Sequence, residues 1–267
     1  MALPLKTKSH LAAKTAQQIR KPLEVRGPIS ALAGSSLAYS EWMEDFFPAS
    51  GGSLLAPLTT TKSGSNSVDG AFVDDADGGV FAITTTTNNE AQTNRLDFGD
   101  QLVFDIAKIR SVEFRLKADL DATGTSNTLG TGDNIVFGVA ADHNATLDSN
   151  TLHAWFRVIG DADGDLDILW ESDDGTTDDD DNDTGKDLPE GQYFYAAIDF
   201  TNGLGAVQFL LSVGASDAAV PQYSVVGEAS MSDASGNVQP YIFLSKAAAA
   251  NEDHTLSIDA VRVVYGR

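Results

Sequence analysis

The sequence contains no cysteine. Disulfide frameworks, thiolate nucleophiles and cysteine zinc sites are excluded with it, so stability has to come from core burial, assembly or bound ions. Basic residues are scarce: 17 Lys and Arg stand against 39 Asp and Glu, a formal charge of −22. Phosphate contacts need Lys or Arg, so neither nucleic acid nor an anionic membrane is an expected partner of the body of the chain. No apolar run approaches the roughly 20 residues that cross a bilayer, and the N-terminus lacks the continuous apolar stretch of a secretory signal. Also missing are a Gly-x-Ser-x-Gly elbow, a phosphate loop and a Gly-x-Gly-x-x-Gly turn after a strand. The four histidines, His10, His143, His153 and His254, lie far apart, and none has a neighbour at metal-ligand spacing. No catalytic residue is nominated, and the chain is not expected to be an enzyme.

What is present points to strands. Twenty-four glycines and many Thr, Ser, Asn and Asp punctuate the chain with turn signals. In VEFRLKADL, Val112, Phe114, Leu116, Ala118 and Leu120 alternate with Glu113, Arg115, Lys117 and Asp119, the period-two pattern of a half-buried strand. GGVFAITTTT, NIVFGVAAD, LHAWFRVIG, GDLDILWES, QYFYAAIDFT, GAVQFLLSVG, QPYIFLSKA and HTLSIDAVRVVYG follow suit, and with RLDFG and QLVFD the expectation is about eleven strands. DFTNGLGAVQFLL is the clearest hairpin, with Phe194, Ala196, Ile198 and Phe200 before an Asn-Gly turn and Val207, Phe209 and Leu211 after it. The fold class expected is all-β, a two-sheet antiparallel jelly-roll sandwich.

The N-terminal region differs from the rest. Residues 1–26 carry six basic residues and one Glu, a charge of +5, which leaves −27 for the remainder. We divide the chain into a basic arm, 1–40, and a sandwich domain, 41–267, with Trp42, Phe46 and Phe47 anchoring the start of the domain. SHLAAKTAQQIRK is the one helical pattern, with Ser9 as its N-cap. The acid-free LKTKSHLAAKTAQQIRK has the composition of a transit peptide, but we read it as an arm that docks on a partner. Its contact residues are Lys6, Lys8, Leu11, Lys14, Ile19, Arg20, Lys21 and Arg26, with Leu23 and Val25 as further apolar anchors.

Residues 161–185 hold eleven aspartates, one glutamate and no basic residue. Three chemistries compete for them. Asp161, Asp163 and Asp165 have the alternating spacing of a calcium loop, although Gly164 precedes Asp165 where such a loop has its glycine after, and Glu171 falls one place early. Asp165, Asp167 and Glu171 share a strand face, as the carboxylates of a retaining glycanase would, with a spacing too long for that pattern. The third reading is a strand over Leu166–Trp170 followed by a solvated loop, DDDDND, that keeps the protein soluble. The aromatics Trp155, Tyr193, Tyr195, Tyr223 and Tyr241 could stack sugars, but their alternation with apolar residues reads first as ordinary sandwich packing.

DGGVFAITTTTNNEAQTN, VEFRLKAD, NIVFGVA, GDLDILWESDDG and YFYAAIDFTNGLGAVQFLLSVG, in that succession, resemble the concanavalin A-like jelly rolls encoded among the head genes of tailed bacteriophages. The resemblance runs from about Trp42 to Tyr265. It implies a virion structural protein on the capsid surface, of the decoration or cement type, whose partner is a major capsid or other shell protein and which assembles as a homo-oligomer, with the trimer as one form open to it. The glucanase carboxylates do not match, so no activity is carried over. Alternatives kept open are a carbohydrate-binding module or sandwich glycanase, and a calcium-stabilised adhesin; no cofactor other than Ca2+ is expected.

Overall fold

The computed structural model describes residues 39–46, 54, 56–73, 79–99, 101–120, 129–160, 166–214, 221–248 and 252–266. The expected arm contacts, the arm helix and Asp161, Asp163 and Asp165 lie outside these residues.

Two antiparallel sheets face each other. The first has the order β14 (Ser224–Ala229), β13 (Val207–Ser212), β12 (Tyr193–Asp199), β7 (Ile109–Leu120), β16 (His254–Gly266), β4 (Phe81–Thr84) and β3 (Ala71–Phe72), with β1 (Tyr39–Glu44) also on β16. The second runs β11 (Asp178–Asp187), β10 (Asp167–Asp173), β9 (His153–Ile159), β8 (Asn134–Ala140), β15 (Asn237–Lys246), β5 (Gln92–Asp97) and β2 (Thr59–Ser63), with β6 (Phe104–Asp105) on β15. All eleven expected strands are present. Five more were not anticipated: β1, β2, β3, β11 and β14.

Alternation explains the core. The five apolar residues of VEFRLKADL all enter it, and Phe137 of β8 lies at its centre, touching Phe114, Phe156 and Phe194 at centroid distances of 5.4–6.2 Å. Removing a phenyl ring from such a site costs about 3–5 kcal/mol. In β16, Leu256 and Ile258 point inward, and so do Val261 and Val263, although the parity has changed. A bulge between Ile258 and Ala260 supplies the extra residue and resets the phase. The expected hairpin is β12–β13, with Asp199 opposite Gln208, but its connection is longer than an Asn-Gly turn and includes a 3-10 turn at Leu204–Ala206.

The reading of DDDDND as a solvated loop is corrected: it is the body of β11, paired with β10 at the sheet edge. Without β11 the backbone of β10 would present unpaired amides and carbonyls on that side. An edge strand needs few buried side chains, so it accepts a run of aspartates that a central strand could not. Only Thr184 of β11 is buried, and its hydroxyl donates to the Ile168 carbonyl at 2.5 Å.

Candidate functional site

Side chains that point away from the core on the second sheet form a connected polar and aromatic face. Across the strands, Glu171 of β10 pairs with Trp155 of β9, Trp155 with Gly138 of β8, and Gly138 with Tyr241 of β15. Glycine is required in the middle of this row, because a Cβ at 138 would sit 2.5 Å from Trp155 Cβ. Its absence lets the indole and phenol rings approach to 5.8 Å. His153 stacks on the indole at 3.6 Å, and the Tyr241 hydroxyl lies 2.7 Å from His143 Nδ1. Val136, Ala140, Phe243 and Leu147 complete this small cluster, separate from the main core.

The aromatic expectation is thereby corrected twice. Trp155 and Tyr241 face outward rather than into the sandwich, yet both are fully buried, so neither offers a ring for sugar stacking. Tyr193, Tyr195 and Tyr223 belong to the opposite sheet, where Tyr193 and Tyr195 flank the Arg115 guanidinium and Tyr223 packs on Ala197 and Leu210. The five rings form no single platform.

Beside the buried rings lies a polar network that reaches solvent. Trp155 Nε1 donates to Glu171 Oε2 at 2.6 Å, and Arg157 Nη1 lies 3.2 Å from Glu171 Oε1. Arg157 also donates to Asp148 Oδ1 at 2.7 Å and, through Nε, to Asn134 Oδ1 at 2.9 Å; Asn134 Nδ2 donates in turn to Ser245 Oγ at 3.4 Å. Burial pushes the Glu171 carboxyl up to about 7 and the His153 imidazole down to about 4. Asn134, Ser245, Thr93, Ile159 and Leu169 are partly exposed and, with Arg157, whose side chain is 12% exposed, form an open strip on this face.

Of the glycanase carboxylates, Asp167 is exposed, Asp165 lies outside the described residues, and both oxygens of Glu171 are engaged by Trp155 and Arg157. No open carboxylate pair is assembled among the described residues at these positions. Asp133 meets a pair of residues that lies far along the chain: Asp133, Glu252 and His254 place one ligand atom each within 4.8 Å of one another. Their separation along the chain, 121 residues between Asp133 and His254, left no local signal. Arg157 and Asn134 were also missed, although strand parity already put Arg157 on the face of Trp155; their pairing needed the register of β8 on β9.

No family model matches the chain, and no curated protein matches it either. Solved structures do. A protein of unknown function, SO2946 from Shewanella oneidensis MR-1, superposes with a TM-score of 0.56 at 13% identity, over 90% of this chain and 94% of its own. Lectin UEA-II complexed with galactose gives 0.54 at 12%, over 85% and 99%, and a Ca2+/Man2-bound form of the VIP36 exoplasmic/lumenal domain gives 0.53 at 8%, over 85% and 87%. At such identities the likeness is one of fold alone: the chain is an all-β, two-sheet antiparallel sandwich with the fold seen in these lectin structures.

Proposed function

We propose that the chain is a non-enzymatic glycan-binding module whose ligand lies along the open strip of the second sheet. One observation carries this reading: Asn134, Arg157, Ser245 and Thr93, an amide, a guanidinium and two hydroxyls, sit partly exposed at adjoining strand positions next to Ile159 and Leu169. Sugar hydroxyls are recognised by fixed planar donors and acceptors of this kind, with apolar contacts for the C–H surface. The network of Arg157 with Asn134, Asp148 and Glu171 holds these groups in place before any ligand arrives. Two proteins of the same fold, UEA-II and VIP36, have structures with galactose and with Man2. The acidic body disfavours anionic sugars, so the ligand class is a neutral glycan.

A glycan array probed with the full-length chain tests this. Hits among neutral glycans, weakened about tenfold or more by Asn134→Ala, are expected. An array without hits, or hits indifferent to Asn134→Ala, would overturn the site.

The charge split supports a second reading, a virion shell protein held on the capsid by its arm. The +5 charge of residues 1–26 is suited to an acidic shell surface. Co-sedimentation of the full-length chain with phage capsids, lost when residues 1–38 are removed, is the outcome that would favour it over glycan binding.

A further inference from the structure

We propose that Asp133, Glu252 and His254 bind a divalent transition-metal ion at the end of the sandwich where β8 and β16 begin. Asp133 and His254 are fully buried, and His254 Nε2 lies 2.8 Å from Asp133 Oδ2 and 3.7 Å from Glu252 Oε2. Metal bonds of about 2.0–2.2 Å at tetrahedral angles separate their ligands by about 3.3–3.6 Å, between these two distances. Only small side-chain shifts would place an ion among the three.

Two further observations point to a ligand. Glu252 Oε2 is a buried oxygen with no hydrogen-bond partner, a costly arrangement for a carboxylate unless something cationic satisfies it. Gly130 faces the same spot: a Cβ there would lie 2.6 Å from Glu252 Oε2 and 3.1 Å from Asp133 Oδ2. Glycine keeps the space between the carboxylates clear.

The surroundings hold the ligands in position. Asp133 Oδ1 accepts from the Ala247 amide at 2.6 Å, Oδ2 accepts from the Gly130 amide at 3.1 Å, and the His254 amide donates to Thr85 Oγ1 at 3.0 Å. The neighbouring cation, Lys246, donates from Nζ to the carbonyls of Thr86 and Asn88. The side chain of Glu252 is 28% exposed, although its Oε2 is itself buried. Nitrogen plus two carboxylates suits Zn2+ or Mn2+, whereas Ca2+ takes oxygen ligands, so this site is distinct in chemistry from the calcium loop expected at 161–165. Asp133 and Lys246 also adjoin Asn134 and Ser245, so an ion here would brace two residues of the proposed glycan strip.

The test is calorimetry and thermal melting of the chelator-treated full-length chain with ZnCl2, MnCl2 or CaCl2 alone. Binding of one Zn2+ or Mn2+ per chain and a raised Tm are expected. Glu252→Gln is expected to keep the metal-free Tm and weaken that binding about tenfold or more; His254→Gln is expected to abolish it. Should His254→Gln fail to fold, Glu252→Gln decides alone. Absence of Zn2+ and Mn2+ binding, or equal binding by Glu252→Gln, would overturn the site. These readouts involve no sugar, so failure of the glycan reading leaves them intact.

Discussion

Glu171 and His153 border the same indole and titrate in opposite senses. Burial favours the neutral form of each. Native Glu171, at about 7, holds its proton longer than the unfolded chain with its ordinary 4.5. Its contribution to stability is therefore full below pH 4.5 and lost as pH rises through about 7. Native His153, at about 4 against 6.5, behaves conversely: its contribution is full above pH 6.5 and lost as pH falls toward 4. Between pH 4.5 and 6.5 the two slopes oppose each other. Urea unfolding across this range separates them. Relative to wild type, Glu171→Gln is expected to become more stable as pH rises, by at most about 1.4 kcal/mol per pH unit, whereas His153→Gln is expected to gain as pH falls. A Glu171→Gln difference that stays flat with pH would mean that Glu171 ionises at its ordinary value. Parity in LDILWES placed Glu171 on the face opposite Trp170, but only the register of β9 on β10 made it a partner of Trp155. The same holds on the opposite sheet, where Glu113 sits in a solvent-type position of VEFRLKADL yet is buried against Arg262, which also reaches Glu41.

At the scale of elements, the acidic run is an edge strand. Among the described residues β11 has no neighbour in its sheet on its outer backbone edge, and its aspartates repel a second copy approaching in register. Replacing Asp178, Asp180 and Asp183 by Thr keeps the strand and removes the repulsion. Light scattering coupled to gel filtration is expected to show larger, concentration-dependent species than wild type. Identical elution at all concentrations would mean that the charges play no protective part. β11 was not legible as a strand because strand signals in a sequence are apolar alternation and β-branched residues, and an edge strand with one buried side chain carries neither. β2, TTTKS, carries β-branched threonines but no apolar alternation: its burial pattern is almost wholly exposed, and it is a strand because β5 offers it a ladder.

Over the whole molecule, charge is the dominant long-range term. With −27 beyond the first 26 residues, like charges crowd the folded body more closely than the unfolded chain. Salt screens that repulsion, with a Debye length that falls from about 30 Å at 0.01 M to about 8 Å at 0.15 M. The Tm is therefore expected to rise on adding NaCl over this range, measured by circular dichroism; a falling Tm would show that specific ion pairs such as Arg115–Asp259, at 2.6 Å, outweigh the net repulsion.

The sequence by itself determined the fold class, the eleven strands with strong alternation and the partition of VEFRLKADL between core and outer face, because period-two burial is a local property of a chain. Only the tertiary structure decided which outward side chains meet: the ladder of Trp155 and Tyr241 across Gly138, the network of Arg157, and the meeting of Asp133, Glu252 and His254. Those contacts depend on strand order and register, which are set by how two whole sheets pack and not by any short stretch.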